Sequence, residues 1–212
     1  MAVKKPWGAE IQNREEMFEL KRQAVLATAA RMIRTRGFEK TTLGGIADVL
    51  NVAKPTVYYY FRNKDEIIVH LMDMAITDLM DPESHPEDYP LKQGLNGAQK
   101  LERLLRRCVR VVTDDIGASI LMIYPHQMSE EMQIRVSKLS LPVDNMIQSI
   151  LREGAADGSL AKSDEVLNYL LIVGALRYVP VWLVNLKRTP EEVANAFVAL
   201  VLNGLRTPAQ TS

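Results

Sequence analysis

The sequence predicts an all-α protein with a small N-terminal helix-turn-helix domain and a larger C-terminal helical domain. Apolar residues recur at helical spacing over most of the 212 residues, and no segment alternates as an exposed strand would. Residues 41–66 are typical of a short helix, a tight turn and a second short helix. Clusters of Pro and Gly separate the longer helices that follow.

Composition favours an ordinary intracellular globular protein. Apolar residues make up 47% of the chain and charged residues 25%. The single cysteine, Cys108, excludes an internal disulfide and fits a reducing compartment. The chain contains no run of about 18 uninterrupted apolar residues, the length that would span a membrane. No apolar segment follows the basic N-terminus, so we expect no secretory signal and a cytoplasmic location.

Charge is distributed unevenly along a chain whose formal net charge is zero. Residues 1–65 contain 12 Lys and Arg against 7 Asp and Glu, whereas residues 66–212 contain 14 against 19. A basic N-terminal domain on a neutral protein is typical of a surface that faces phosphate.

The first predicted helix begins at a cap formed by Asn13, with Glu16 three residues later, and extends to about Arg36. Gly37 suits the left-handed residue that ends such a helix, and Phe38 would fold back onto the core. The predicted core stripe of this helix consists of Leu26, Ala29, Ala30 and Ile33.

The second predicted helix is short, with an apolar stripe of Ile46, Ala47 and Leu50. Asn51 follows it and tolerates the left-handed backbone of a tight turn. Gly44 and Gly45 lie inside this helix, where each costs about 1 kcal/mol relative to alanine.

The third predicted helix opens around Lys54 and Pro55, because proline is acceptable in a first helical turn. Ala53 precedes it and offers no capping side chain. Val57 and Phe61 would pack this helix on the second one. The opposite face would carry polar and aromatic side chains, namely Lys54, Thr56, Tyr58, Tyr59 and Tyr60.

The remainder of the chain reads as helices joined by loops. Asn63 with Glu66 marks the cap of a linking helix over residues 64–80, followed by a loop of about residues 81–97 that is rich in Pro and Gly. Four further helical segments are predicted over residues 98–125, 129–156, 163–186 and 190–205, the first of them comprising two helices. Pro142 and Pro180 are expected to bend or divide the helices that contain them. The domains are predicted as residues 1–63 and 64–212.

Two motifs within residues 20–70 resemble the TetR-type transcriptional regulators. They are R-G-F-x-x-T-T, and A-x-x-x-x-V-x-K-x-T-V-Y-Y-Y-F-x-N-K-x-E beginning at Ala47. The resemblance implies a homodimeric DNA-binding regulator on a palindromic operator, with a reading helix in the major groove and a C-terminal domain that binds a small effector. The expected DNA-contacting residues are Thr42, Lys54, Thr56, Tyr58, Tyr59, Tyr60 and Lys64.

The same resemblance implies an effector cavity in the C-terminal half. Methionine and apolar residues with a few polar tips suggest an apolar or amphipathic effector. Arg177, inside an apolar run, must reach solvent, form an ion pair or meet an anionic ligand. The expected lining is Leu105, Cys108, Met122, His126, Met146, Tyr169, Val173 and Arg177.

The last two helices carry more apolar surface than one core face needs, which predicts a two-fold helix-pair interface between two copies. The expected interface residues are Tyr178, Trp182, Val193, Phe197, Leu200 and Val201.

No catalytic constellation, cofactor motif or metal-ligand spacing is present in the sequence, so we expect no enzyme activity, no cofactor and no metal. The leading interpretation is a repressor that its effector releases from DNA. One alternative is a DNA-binding structural or partner-binding protein with no small effector, whose C-terminal core would be filled. The other is a helical enzyme or apolar-ligand carrier with an incidental N-terminal resemblance.

Overall fold

The computed structural model describes residues 14–183 and 186–205, and these residues form nine α-helices with no strand, which confirms the predicted fold class. The helices are α1 (Arg14–Arg36), α2 (Leu43–Leu50), α3 (Lys54–Tyr60), α4 (Lys64–Met80), α5 (Gly97–Thr113), α6 (Asp115–Leu121), α7 (Glu130–Asp157), α8 (Glu165–Leu183) and α9 (Pro190–Gly204). Two short 3₁₀ turns lie at Pro86–Asp88 and Pro125–Gln127.

The predicted helix ends are governed by local capping. Gly37 and Asn51 adopt the left-handed backbone, with φ of 83° and 56°, and so end α1 and α2 as predicted. The Asn63 side chain accepts a 2.8 Å hydrogen bond from the Glu66 backbone N–H, so α4 begins at Lys64. The cap predicted at Asn13 lies outside the described residues.

Neither of the two internal prolines divides its helix. Pro142 lies inside α7, which continues through it as one helix of 28 residues. Pro180 likewise lies inside α8, which ends at Leu183. The segment predicted to continue helical up to Pro125 ends earlier, because α6 stops at Leu121 and an irregular turn follows.

Two separate apolar cores organise the helices. The first lies among α1, α2, α3 and the N-terminal half of α4, and it also takes in Ile123 from the turn after α6. The second lies among α5, α7, α8 and α9, and it takes in Leu79 from the C-terminal end of α4. Both cores therefore include residues of α4.

A close approach of two glycines joins α5 to α7. A Cβ on Gly97 would lie 2.2 Å from the Gly154 Cα, so any side chain at residue 97 forces the two helices apart. The first turn of α5 is also tied to the end of α7, because the Gly97 and Ala98 backbone N–H groups donate to the Asp157 carboxylate (2.7 Å) and the Ser159 hydroxyl (2.9 Å).

Arg107 is a fully buried charge that the apolar pattern of α5 did not indicate. Its guanidinium donates to the backbone carbonyls of Asp78 (2.8 Å), His85 (3.1 Å) and Asp81. These bonds cap the C-terminal end of α4 and hold the loop that follows it, and a cation at a helix C-terminus is favoured by the helix dipole.

The glycine contact predicts a matched pair of substitutions. Gly97→Ala should lower the free energy of unfolding by about 2 kcal/mol, because the new Cβ overlaps the α7 backbone. Gly44→Ala should instead raise it by about 0.5–1 kcal/mol, because its Cβ meets only the flexible Lys54 side chain at 3.5 Å while glycine is removed from a helix. Urea unfolding followed by circular dichroism measures both changes. Equal stability of the two variants would contradict the close approach of α5 and α7.

Candidate DNA-binding surface and effector cavity

Helix α3 is anchored by its apolar side and presents a compact exposed face. Val57 and Phe61 are fully buried in the first core, as predicted. Tyr58 and Tyr59 are 52% and 70% exposed, and Lys54 is also exposed. Ala53 caps the helix without a side-chain hydrogen bond; Pro55 has no N–H, and the Thr56 N–H bonds to the Ala53 carbonyl at 2.9 Å.

Tyr60 packs toward α1, and not on the exposed face of α3 where the sequence predicted it. Its ring centroid is 4.9 Å from that of Phe18 on α1, and it packs against the first core. Burial and the neighbouring Tyr59 raise the pKa of the Tyr60 hydroxyl. Thr56 is half-buried. The exposed part of α3 is therefore narrower than predicted and centres on Lys54, Tyr58 and Tyr59.

The start of α2 is shaped by the Thr42 side chain and by the two glycines Gly44 and Gly45. The exposed Thr42 hydroxyl caps α2 by accepting a 3.0 Å hydrogen bond from the Gly45 N–H. A Cβ on Gly45 would lie 3.2 Å from both the Thr42 hydroxyl and the Met32 methyl, and one on Gly44 would touch Lys54. Gly45 therefore makes room for the Thr42 cap and Met32, whereas an alanine at residue 44 would make only an ordinary contact with Lys54.

Lys64 ties the start of α4 to the end of α1. Its ammonium donates to the Phe38 backbone carbonyl at 2.9 Å and lies 3.8 Å from the centroid of the Phe38 ring. Partial burial lowers the pKa of Lys64. In this structure the ammonium expected at a phosphate is already bonded within the domain.

His70 lies at the junction of the first core and α7. Arg22 Nη2 is 2.7 Å from His70 Nδ1, and the imidazole packs edge-on to Phe61. An Arg donor requires a neutral ring nitrogen as acceptor. Burial, followed by Arg22, lowers the pKa of His70; the other charged groups that act on it are Glu66, Asp73 and Arg135.

A partly open cavity of 180 Å³ lies in the C-terminal half, lined by α4, α5, α6, α7 and α8. Its wall is mostly apolar and includes three residues predicted to line it, Cys108, Val173 and Arg177. Burial raises the pKa of the Cys108 thiol to about 12, so this side chain is neutral and acts as part of an apolar wall.

The other five residues predicted to line the cavity lie outside its wall. Leu105 and Met146 are buried in the second core, while Met122 is half-buried in the turn after α6. His126 is exposed on the 3₁₀ turn and stacks on Tyr124 at 5.8 Å. Tyr169 lies behind the wall, where burial and a hydrogen bond to Asp144 raise its pKa to about 12.

The cavity wall also has a polar side, of which the sequence indicated Arg177 but not Asp144 or Ser140. Arg177, Asp144 and Ser140 all line it. The Ser140 hydroxyl donates to Asp144 at 3.0 Å, so this carboxylate is already occupied by Ser140 and Tyr169. The cavity thus offers an apolar volume beside one guanidinium, which suits a molecule with an apolar body and a polar or anionic head.

Helices α8 and α9 expose an apolar face. Tyr178, Trp182 and Leu200 are 56%, 38% and 73% exposed, as an interface would require of an isolated chain. Val193 and Phe197 are instead buried in the second core, and Val201 is partly buried against it. The exposed large apolar residues of this face are Val166, Leu167, Leu170, Leu171, Tyr178, Val181, Trp182 and Leu200.

This face gives α8 an unusual hydropathy for an exposed helix. Among the described residues, α8 is the one helix that is long and apolar enough to cross a membrane, with a mean hydropathy of 1.6 over 18 residues. Only 22% of those residues are buried, so most of its apolar side chains are not covered by the rest of the chain. A groove of 510 Å³ runs beside it, between Trp182 on one side and Phe197 and Leu200 on the other. An apolar surface of this extent marks an interaction site.

Within residues 14–183 and 186–205, no group of three or more His, Cys, Asp or Glu side chains is arranged to hold a metal ion.

The chain matches two models of known protein families. Residues 25–71 match the model described as bacterial regulatory proteins, tetR family. Residues 94–205 match the model described as the Tetracyclin repressor-like, C-terminal domain. Together the two matches include the whole of α2, α3 and α5 to α9, and every residue that lines the cavity except those of α4.

Full-length relatives are similar over most of the chain. The fatty acid metabolism regulator protein of Bacillus subtilis (strain 168) is 23% identical over 185 residues, which cover 85% of this chain and 93% of that protein. The HTH-type transcriptional repressor KstR2 of Rhodococcus jostii (strain RHA1) is 23% identical over 194 residues, covering 89% and 92%. The solved structure of AibR in complex with isovaleryl coenzyme A and operator DNA shares the fold, with a TM-score of 0.71, 20% identity and coverage of 85% and 97%.

The His70 environment predicts a pH dependence of stability. The pKa of His70 is lowered in the folded state, so the unfolded chain takes up the proton first as pH falls. The contribution of neutral His70 to the free energy of unfolding is therefore fully present above the ordinary histidine pKa of about 6.5. It is lost as pH falls through the lower pKa that His70 has in the folded state. Thermal unfolding between about pH 7.5 and pH 5 should show a larger loss for the wild type than for His70→Gln, which retains a neutral acceptor for Arg22. An identical pH profile for the two proteins would contradict this assignment.

Proposed function

The chain belongs to the TetR family of bacterial regulatory proteins, and we propose that it acts as a homodimeric repressor that a small, largely apolar effector releases from a palindromic operator. As a member of this family it is a DNA-binding transcriptional regulator and not an enzyme. A regulator of bacterial genes works where the chromosome is, which supports the proposed cytoplasmic location. The proposed division of labour assigns DNA binding to residues 1–63 and effector binding and dimerisation to residues 64–212.

The observation that carries the proposal is the anchored, exposed face of α3. Val57 and Phe61 fix this helix on the first core while Lys54, Tyr58 and Tyr59 project outward. A helix held in this way fits the major groove, and hydroxyl and ammonium donors suit phosphate and base edges. Thr42 and the half-buried Thr56 are proposed to contact the backbone at the rim of the groove. Tyr60 and Lys64 are proposed mainly to stabilise the DNA-binding surface. The Tyr60 ring packs on Phe18, and the Lys64 ammonium is bonded to the Phe38 carbonyl.

The proposed effector is an acyl compound with an anionic group. An apolar cavity beside Arg177 would accept its chain and its charge. A regulator of fatty acid metabolism is among the relatives, and the AibR structure contains isovaleryl coenzyme A, which favours this chemical class. The existence of the cavity also favours an effector-controlled regulator over a DNA-binding protein with a filled C-terminal core.

A second copy of the chain is the proposed partner of the exposed α8 and α9 face. Each subunit supplies one reading helix, and a two-fold pair of such helices spaced about 34–36 Å apart reads the two halves of a palindrome. Tyr178, Trp182 and Leu200 would lie in the interface, whereas Val193, Phe197 and Val201 would support it from the core behind.

The DNA-binding proposal is tested at Tyr58. Fluorescence anisotropy with duplex DNA from the region upstream of its own coding sequence should show tight binding that weakens as salt rises. Tyr58→Ala should weaken binding by about tenfold, the effect of losing a good base or phosphate contact. Tyr58→Phe keeps the ring and removes the hydroxyl, so it measures the contribution of the hydroxyl to DNA affinity. Equal affinity of the wild type for this DNA and for a random duplex would contradict the proposal.

The dimer proposal is tested at Leu200. Wild-type protein should elute with about twice the 23.9 kDa mass of one chain in size-exclusion chromatography with light scattering. Leu200→Glu should shift it to a single-chain mass, because burying an unpaired carboxylate in an interface is costly. Leu91→Glu, a substitution of an exposed leucine in the loop before α5, is the matched control and should remain dimeric. A wild type that elutes as a monomer, or a dimer that survives Leu200→Glu, would contradict this interface.

A further inference from the structure

A single hydrogen bond connects the effector cavity to the DNA-binding core. Arg177 lies on α8 and lines the cavity. Its Nη2 donates to the backbone carbonyl of Ile123 at 3.0 Å. Ile123 belongs to the turn between α6 and α7, and its side chain is buried in the first core together with residues of α1, α2, α3 and α4. One residue of α8 therefore contacts the backbone of a residue whose side chain belongs to the reading head.

The turn formed by residues 122–128 packs directly against the DNA-binding domain. Besides the buried Ile123, Met128 packs against the first core, and the Gln127 side chain donates to Glu39 at 3.3 Å. The preceding helix adds an ion pair between Asp115 and Arg34, with a 3.0 Å separation. A change in the conformation of this turn therefore alters the support on which α1 to α3 rest.

Arg177 is free to exchange its partner. Among the described residues no carboxylate forms an ion pair with it, because the neighbouring Asp144 is held by Ser140 and Tyr169. Its remaining contact is with the face of the Tyr124 ring, 5.6 Å from the guanidinium carbon. A guanidinium that faces a largely apolar cavity and is bonded only to a neutral carbonyl will bind an anion more strongly than that carbonyl.

The geometry points to Arg177 as the effector sensor: an anionic group entering the cavity takes the guanidinium from the Ile123 carbonyl and so releases the 122–128 turn. The bond to the carbonyl breaks as a charge-assisted bond to the anion forms, with no proton transferred. Without the Arg177 bond the turn holds Ile123 in the first core less firmly, and the two reading heads of a dimer lose their fixed spacing. This inference deepens the proposed function and rests on it.

The effector class follows from the same contact. A carboxylate on a short acyl chain and a phosphate of a coenzyme A thioester share the anionic chemistry that Arg177 recognises. An uncharged amide of the same length would fill the apolar cavity without displacing the carbonyl. Charge, rather than occupancy alone, is therefore the signal that Arg177 transmits.

The link is tested first without any ligand, on the full-length protein. Arg177→Met removes the donor and should mimic the effector. Amide hydrogen exchange of Ile123, Gln127 and Met128 should become about tenfold faster. The Gln127 and Met128 N–H groups bond to carbonyls within the turn, and the Ile123 N–H bonds to the Ile120 carbonyl at the end of α6, so all three bonds depend on how the turn is held. Affinity for the upstream DNA should fall by about tenfold, a typical coupling between two sites.

Two control variants separate the link from charge and from folding. Arg177→Lys keeps the charge and one donor group and should retain most of the DNA affinity. Arg152→Met removes a charge from the exposed Arg152–Glu165 pair between α7 and α8 and should leave both exchange and DNA affinity unchanged. Exchange in α5 and α9 reports whether Arg177→Met remains folded, because the buried residues of these helices belong to the second core, whereas the turn is buried through Ile123 in the first.

The anion requirement is tested on the wild type with octanoate, octanoyl coenzyme A and octanamide. Either anion should speed exchange in residues 122–128 and lower DNA affinity, whereas octanamide should do neither. If only octanoate acts, the anion that Arg177 binds is a carboxylate. If only octanoyl coenzyme A acts, the anion is a phosphate of the coenzyme. No effect of either anion, or an equal effect of octanamide, would overturn the anion sensor. Wild-type exchange and DNA affinity in Arg177→Met would overturn the link, whereas a wild type that binds no specific DNA would overturn the proposed function instead.

Discussion

Helix α4 packs in both apolar cores, and the relation between the two halves of the molecule depends on this. Ile67, Ile68 and Leu71 are buried with the DNA-binding helices, while Leu79 is buried with the C-terminal helices. A rigid helix shared in this way cannot move in one core without disturbing the other. The buried Arg107 guanidinium holds its C-terminal end through the Asp78 and Asp81 carbonyls, and Lys64 holds its N-terminal end through the Phe38 carbonyl, so α4 is fixed to both halves of the molecule.

The second connection between the halves passes through α6 and the turn after it. Ile123 enters the first core from this turn, and Ile116 and Ile120 of α6 pack against the same core. The cavity lies between these two connections, with α4 on one side and Arg177 of α8 on the other. A molecule in the cavity therefore touches both supports of the reading head, which is the arrangement that an effector-controlled DNA-binding protein requires.

Buried polar groups set the cost of altering these supports. Arg107 satisfies backbone carbonyls that no helix can satisfy for itself, and removing a partner from a buried charge costs several kcal/mol. The Arg177 bond is easier to exchange, because its half-buried guanidinium has one carbonyl acceptor where the buried Arg107 has three, and an anion in the adjacent cavity would be a stronger acceptor. The structure thus combines a permanent buried guanidinium at one end of α4 with an exchangeable one beside α6.

The sequence by itself determined the fold class and the helix ends that depend on local capping and glycine backbone conformations: Asn63, Gly37 and Asn51 act where they were predicted to act, whereas α6 ends earlier than predicted. It also determined the anchored side of α3, since Val57 and Phe61 follow helical spacing. Contacts between distant segments were decided only by the tertiary structure. The Gly97–Gly154 approach, the burial of Arg107, and the division of predicted lining residues between cavity wall and core depend on how helices cross, and no pattern within one helix records that crossing.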